Sequence, residues 1–551
     1  MSIDGGDLVA RALRREGVKH LFALSGDYIQ AIFDACLDED IRIIDTRHEQ
    51  AAVHMADGWA RVTGEPGVAL VTAGPGVADA VPGMSVAYHA ASPVVLLAGR
   101  IPMRDFGSGW GMDFDQVALM RPVTKWGASC YHAPRIPEYV GMALGEATSG
   151  RPGPVFLDIP SDVLEAKVEE EDVFFLPRRG SRERAQGDPA LVEAAIDLLA
   201  EAERPLVIAG SGVWWSGASE ELKEFIETTG IPLILSQMGR GAVAEDHPLC
   251  FGPLRVGTRE ADVILAVGAR INYWLTRGRP PLFGTDQKWI QVDIEGAEIG
   301  RHRAVDIGIV GDARQVLRQL VAVARGRLRG RSELPWVAEC RRQARARQER
   351  NEADSSSDNV PIHPLRLCRE INAFLDRDAA IALDGGDISV FATMALRVHS
   401  PGSWLELGNS GHLGAGIPFA MAAKLARPER QALVLSGDGS FGFNGMELDT
   451  AVRHNLPIVV VVANDGAWGM IKHRQELIYG PDRVVGTELG VTRFDLLARA
   501  LGGYGEVVER PEEIRSALER AFAAGVPAVL DVRTDPTAVS PLTRRSSVGR
   551  G

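Results

Sequence analysis

The chain has 551 residues, too many for one hydrophobic core, and domain-size statistics place about three units in that length. Apolar residues make up 45% and charged residues 24%, a globular balance that excludes a disordered chain. The formal net charge of -13, with no long Lys/Arg block, excludes a general attraction to phosphate polymers, so no nucleic-acid partner is expected.

Along the chain, the N-terminal MSIDGGDLVARALRREG starts an amphipathic helix with no apolar stretch of signal-peptide type, and no apolar run reaches spanning length. Cys36, Cys130, Cys250, Cys340 and Cys368 form neither CxxC pairs nor an even-numbered framework and read as packing residues in a reducing compartment. A cytoplasmic protein without membrane contact is expected. Apolar runs at 41–45 (IRIID), 67–74 (GVALVTAG), 93–99 (PVVLLAG) and 154–160 (PVFLDIP) alternate with helical patterns, which predicts a parallel sheet covered on both faces. This first unit covers 1–170, and a charged, Gly/Pro-containing linker at 174–188 follows. The second unit, 188–345, repeats the alternation at 204–212 (RPLVIAGSG), 231–236 (IPLILS), 262–270 (DVILAVGAR) and 289–295 (WIQVDIE) and closes on a basic helix up to Arg350. NEADSSSDN at 351–359 reads as a second linker. The third unit, 360–535, has strands in AAIALDGGD, QALVLSGDG, IVVVVAND and AVLDVRTD, and a tail at 536–551 ends the chain. The fold class is therefore three successive α/β parallel-sheet domains. Units one and three have similar strand-loop-helix lengths, as two copies of one unit would, but no residue-level repeat proves it.

The sharpest motif is Gly437-Asp438-Gly439-Ser440, directly after the strand ALVLS, with Asn464-Asp465 at the end of the next strand. Both acids reach the carboxyl edge of adjacent strands, where open α/β sheets bind ligands. Gly439 lets backbone amides approach a phosphate, the following helix offers its positive end, and Asp438 with Asp465 supplies oxygen to a hard cation. The triplet alone reads equally as a tight turn. With the Asn-Asp pair after a second strand, it describes a magnesium-bridged diphosphate site.

The stretch from GDGS to NDGAWG resembles the thiamine-diphosphate motif, and HLFALSGDYIQAIFDACLDEDIRIIDTRHEQAAVHMADGWAR resembles the opening domain of acetolactate synthase, benzaldehyde lyase and 2-hydroxyacyl-CoA lyase. The resemblance extends over DFDQVALMRPVTKW, RPGPVFLDIPSDV and GHLGAGIPFAMAAKLA. It implies a pyrimidine-binding domain, a central Rossmann-like domain and a diphosphate-binding domain, with thiamine diphosphate and Mg2+ as cofactors. It implies that Glu49 hydrogen-bonds the aminopyrimidine of a cofactor held by the neighbouring subunit, promoting the imino tautomer that generates the ylid. A homodimer or homotetramer with sites at the subunit interface follows. By the same resemblance Leu413 matches the residue that bends the cofactor, the Gly411 carbonyl would accept from its amine, and Gly386, Asp387 and Ile388 look like the second diphosphate loop. Metal ligands are Asp438, Asp465 and the Ala467 carbonyl; most relatives have asparagine where this chain has Asp465. The resemblance places Ser25, Tyr28, Gln116, Trp468, Met470 and His473 around the thiazolium, counts Gly469 among the cofactor-binding residues, and makes Glu49, Tyr28, Gln116 and His473 the catalytic candidates.

For the substrate, benzaldehyde lyase has histidine at the position of Tyr28, which donates a hydrogen bond but is a poor base. Acetolactate synthase has Pro-Gly-Gly where this chain has Ser25-Gly26-Asp27. The expectation is a lyase or carboligase resembling 2-hydroxyacyl-CoA lyase, with condensation of 2-oxo acids or acyloin cleavage as alternatives. A small-molecule substrate, an acyl-CoA among the candidates, is the expected partner. A dinucleotide oxidoreductase would need GxGxxG after a strand, and AGSGVWWSG at 209–217 lacks that spacing; the middle unit is left open for ADP, FAD or coenzyme A. The tail carries Arg544, Arg545 and Arg550 but no acid, and is expected either to fray or to close over an acyl-CoA.

Overall fold

In the computed structural model, residues 2–175, 184–253, 255–328 and 334–548 are described, the side chains of the last three excepted. The expected linker at 174–188 thus lies partly, and Arg550 wholly, outside the described residues. The first sheet has six parallel strands in the spatial order Arg42–Asp45, His20–Ala23, Gly67–Val71, Val94–Arg100, Val155–Pro160, Trp126–Ser129. Its Val/Leu/Ile-rich strands are buried because the helices Glu49–Thr63 and Pro75–Ala90 cover one face and Gly5–Arg15 and Ile136–Thr148 the other. The middle sheet orders five parallel strands as Leu233–Leu235, Pro205–Ala209, Val263–Val267, Lys288–Asp293, Ile307–Val310. The third runs Trp404–Leu405, Ala380–Asp384, Ala432–Gly437, Val459–Asn464, Ala528–Arg533, Tyr504–Val508.

When strands are counted by sequence within each sheet, the first and third share one spatial order, 2-1-3-4-6-5. Topology thus repeats where residues do not. A single hydrophobic core joins these two domains, running from Val53 and Met84 to Phe419 and Val460, while the middle domain has cores of its own. The second linker is shorter than its polar composition implies. The helix Pro335–Ser355 continues through its first half because Glu352 finds Arg369 at 3.1 Å and the Ser355 hydroxyl donates back to the Asn351 carbonyl.

Two buried arginines fasten the other domains to the edge of the third sheet. Arg61 pairs with Asp57 at 2.7 Å and donates to the Glu406 carbonyl at 2.6 Å. Arg240 pairs with Glu245 through bonds of 2.7 and 2.8 Å, donates to the Leu396 carbonyl, and lies 3.8 Å above the Trp404 ring. Each guanidinium is buried together with its carboxylate, without which its desolvation would cost several kcal/mol.

Candidate active site

Parallel pairing of Gly437 with Ala463 brings Asp438 and Asp465 out side by side at the carboxyl edge of the third sheet. Asp438 accepts from the Gly439 amide at 2.8 Å through Oδ1, and its buried Oδ2 has no partner among the described residues. Asp465 accepts from the Ala467 amide at 3.1 Å. Burial raises both pKa values, and for Asp438 the facing Asp465 charge raises it further. A buried and a half-buried carboxylate, the first with a bare oxygen, fit a hard divalent cation, and among the described residues no third His, Cys, Asp or Glu completes a metal cluster. The remaining ligands of such an ion would be backbone and diphosphate oxygens. The surroundings demand glycine: a Cβ on Gly439 would lie 2.5 Å from the Trp468 ring, one on Gly469 would strike Asp465, and one on Gly386 would lie 2.9 Å from the Met470 Cβ. Trp468 and Met470 are half-buried around this edge rather than part of the core.

Gly386 precedes the helix Asp387–Ala395, whose N-terminus faces the same edge, and Ile388 and Ser440 line the glycine turn at Gly385. The Asp387 side chain turns elsewhere. It accepts from His473 Nδ1 at 2.8 Å and from the Thr543 hydroxyl at 2.6 Å, tying the Gly385–Asp387 loop to the C-terminal helix Pro541–Val548. Burial opposes the charge on Asp387, yet His473, Ser540 and Thr543 hold its pKa below the ordinary carboxylate value. His473 Nε2 faces the Pro536 carbonyl at 2.8 Å. Both ring nitrogens meet acceptors, so both donate, and although burial works against the imidazolium, Asp387 and Pro536 raise its pKa. With 2% of its surface exposed, His473 holds Asp387 and the tail and has no nitrogen left to move a proton at a substrate.

The loop presenting Leu413 is fixed by Asp384, which sequence reasoning passed over. Its carboxylate accepts from the Gly414 and Gly416 amides at 3.0 and 2.9 Å, and burial pushes its pKa up to about 7 against those two bonds. Gly411 and Gly414 take φ values of +63° and +98°, which only glycine adopts freely.

At the first domain, Glu49 opens the helix Glu49–Thr63 and is buried. Its neighbours are committed elsewhere: the Arg47 side chain to Asp449 at 2.7 Å, and His48 Nδ1 to the Gln50 amide at 3.1 Å. A Cβ on Gly76 would stand 3.5 Å from Glu49 Oε1, so small residues keep space beside the carboxylate. Gln50 Nε2 donates to the Leu413 carbonyl at 3.1 Å, linking Glu49's helix to the other domain. Gln116, one of the catalytic candidates, is fully buried. It accepts from the Gly74 amide at 2.9 Å and donates to the Gly99 carbonyl and to Asp158, each at 3.1 Å. With both amide groups bonded inward, it frames the Gly74 turn. Ser25 accepts from Gln30 at 3.1 Å, and the Tyr28 hydroxyl accepts from the Trp110 indole at 3.2 Å.

Three family models match successive stretches of the chain: Thiamine pyrophosphate enzyme, N-terminal TPP binding domain, over residues 3–119; the central domain over 192–320; and the C-terminal TPP binding domain over 384–532. The chain belongs to the thiamine pyrophosphate enzyme family. It is 39% identical to the acetolactate synthase large subunit of Mycobacterium tuberculosis, covering 99% of this chain and 98% of that protein. It is 34% identical both to a probable acetolactate synthase large subunit of Methanocaldococcus jannaschii (98% and 93% covered) and to the 2-hydroxyacyl-CoA lyase of Arabidopsis thaliana (98% and 96%). No helix among the described residues is long and apolar enough to cross a membrane.

Two further features of this thiamine pyrophosphate enzyme lie outside the cofactor edges. A cavity of about 1290 Å³ opens at the carboxyl edge of the middle sheet, lined by Gly212, Gly268, Arg270, Asp293 and Gly311 with Arg151 from the first domain. Burial pushes Arg270 down to about 10 and Asp293 up to about 6. Separately, Arg255, Arg347 and Arg545 stand together where the middle domain meets the C-terminal helix. Arg255, at φ +52°, donates to the Trp274 carbonyl at 2.9 Å; Gly257, two residues on, donates to Gln343, one turn before Arg347. Burial and then their mutual charge push Arg255 down, and Arg347 to about 10.

Proposed function

We propose that this enzyme cleaves the bond between the hydroxyl-bearing carbon and the thioester carbonyl of a 2-hydroxyacyl-CoA, giving an aldehyde or ketone and formyl-CoA, and runs the reverse ligation. The reading rests on the convergence of Arg255, Arg347 and Arg545 beside a tail that Asp387 latches to the diphosphate loop. Guanidinium groups of this kind suit the phosphate oxygens of coenzyme A. Thiamine diphosphate, when bound, would supply a nucleophilic carbon and an electron sink for the bond that breaks. Asp438 and Asp465 would hold its Mg2+, with the Ala467 carbonyl as a further ligand. Leu413 would pack against the bound cofactor, and Glu49 would exchange a proton at its aminopyrimidine. Glu49 serves a cofactor seated on a second copy of the chain, so the working unit is a dimer or tetramer. Exposed apolar side chains beside the site, among them Phe443, Met446 and Ile471, support such a partner.

Condensation of 2-oxo acids is the second reading, favoured by the 39% identity to the mycobacterial acetolactate synthase. Mass spectrometry separates the two. The first expects an aldehyde and formyl-CoA from a 2-hydroxyacyl-CoA; acetolactate from pyruvate, with every thioester left intact, overturns it.

A further inference from the structure

The segment between the strand Val94–Arg100 and the helix Gln116–Met120 forms a glycine-rich loop over the first domain's carboxyl edge. Gly107 and Gly109 have φ values of +72° and +80°, and Met112, without glycine's freedom, is held at +71°. A non-glycine residue in that region costs on the order of 1 kcal/mol and persists where its surroundings enforce it. Here the enforcement is visible. The Gly107 amide donates to Asp113 Oδ2 at 2.7 Å, closing the loop, and the Met112 side chain fills the space that a Cβ on Gly74 would need. The loop is thus seated on the same Gly74 turn that Gln116 frames beneath Glu49's neighbour Gly76.

At its tip Trp110 is 53% exposed, and its indole N–H donates to the Tyr28 hydroxyl at 3.2 Å. The direction of that bond is fixed, because an indole nitrogen only donates. Tyr28 must therefore spend a lone pair on Trp110, and its single proton is left to point away. Among the described residues, none accepts it. A phenol that accepts one hydrogen bond becomes a better donor of its own, since bonds in a chain polarise one another.

We infer that Trp110 is a positioning residue that aims the Tyr28 O–H at the substrate oxygen on the reacting carbon, where the bond tightens as that oxygen gains charge. This rests on the lyase reading, which supplies the oxygen, and deepens it by naming the donor. No proton is transferred; Tyr28 keeps its hydrogen throughout.

A double-mutant cycle tests it, using the full-length enzyme with thiamine diphosphate and Mg2+ on a 2-hydroxyacyl-CoA and, in parallel, on a 2-oxo acid and an acyloin. Trp110→Phe should lower kcat by about 3- to 10-fold, the effect of one lost neutral hydrogen bond, while KM and cofactor affinity stay within about twofold. Tyr28→Phe should lower kcat further. The double variant should match Tyr28→Phe alone, because without the phenol Trp110 has nothing to aim. A merely structural Trp110 would lower cofactor affinity or thermal midpoint and leave kcat per folded site unchanged. Wild-type turnover combined with additive losses overturns the inference and leaves the function reading standing. A wild type that turns over none of the three donors overturns both.

Discussion

Replacing Glu49 by Gln separates chemistry from folding. Glu49 occupies the first turn of its helix, so its charge gains about 0.3–1 kcal/mol from the helix N-terminus. It carries no structural ion pair with Arg47 or His48, whose side chains bond Asp449 and the Gln50 amide. Glutamine keeps the volume and the space beside Gly76, so the thermal midpoint should fall by no more than about 2–4 °C. Loss of a proton-exchanging group costs about 10²- to 10⁴-fold in rate, roughly 2.7–5.5 kcal/mol of barrier. The kinetic loss thus exceeds the stability loss several-fold. Hydrogen–deuterium exchange at the cofactor's C2, followed by NMR after acid quench, should slow by the same factor, with thiamine diphosphate affinity much less affected. Wild-type C2 exchange in a folded Glu49→Gln enzyme would refute the assignment. A midpoint drop of tens of degrees would show that the carboxylate is structural.

Chelation of divalent ions should abolish turnover, and Mg2+ with thiamine diphosphate should restore it; activity that survives exhaustive removal of both contradicts the roles of Asp438 and Asp465. Replacing Arg544 and Arg545 by Ala, which leaves Thr543 in place, should raise KM for an acyl-CoA about 10- to 100-fold, the range for charged hydrogen bonds, and leave a free aldehyde unaffected. High salt should shrink the difference, and equal effects on both substrates would remove the phosphate reading. Asp384 titrates near 7 in the fold against 3.8 outside it, so the folded state holds the extra proton. Its contribution is therefore greatest below about pH 4 and lost as pH rises through about 7. Urea midpoints of Asp384→Asn relative to wild type should improve across that window, and a constant difference would place the proton elsewhere.

The strands and the meeting of Asp438 with Asp465 at one sheet edge were legible in the sequence because glycine, aspartate and apolar runs carry local rules, whereas Glu49 stood out only through the resemblance. Asp438 and Asp465 needed only strand ends to be brought together. What failed to show was commitment. Gln116 and His473 carry the right chemistry in the right neighbourhood, but partners distant in sequence, Gly74, Asp158, Asp387 and Pro536, use up their hydrogen bonds. Asp384 escaped notice for the converse reason: it sits inside LDGGD, whose glycines drew attention, and its work is done on amides 30 and 32 residues away. The common strand order of the first and third domains was likewise invisible, since strand order is a property of pairing and leaves no residue-level trace.

The short edge strand Trp404–Leu405 has a consequence for production of the protein. A sheet margin is a template for other chains, and this one is covered by guanidinium groups that belong to the other two domains. During refolding, therefore, a third domain that matures before Arg61 and Arg240 arrive presents bare strand and the Trp404 ring to its neighbours. Yield from denaturant should fall as protein concentration rises, and dilution or slow co-translational folding should favour the native chain over aggregates.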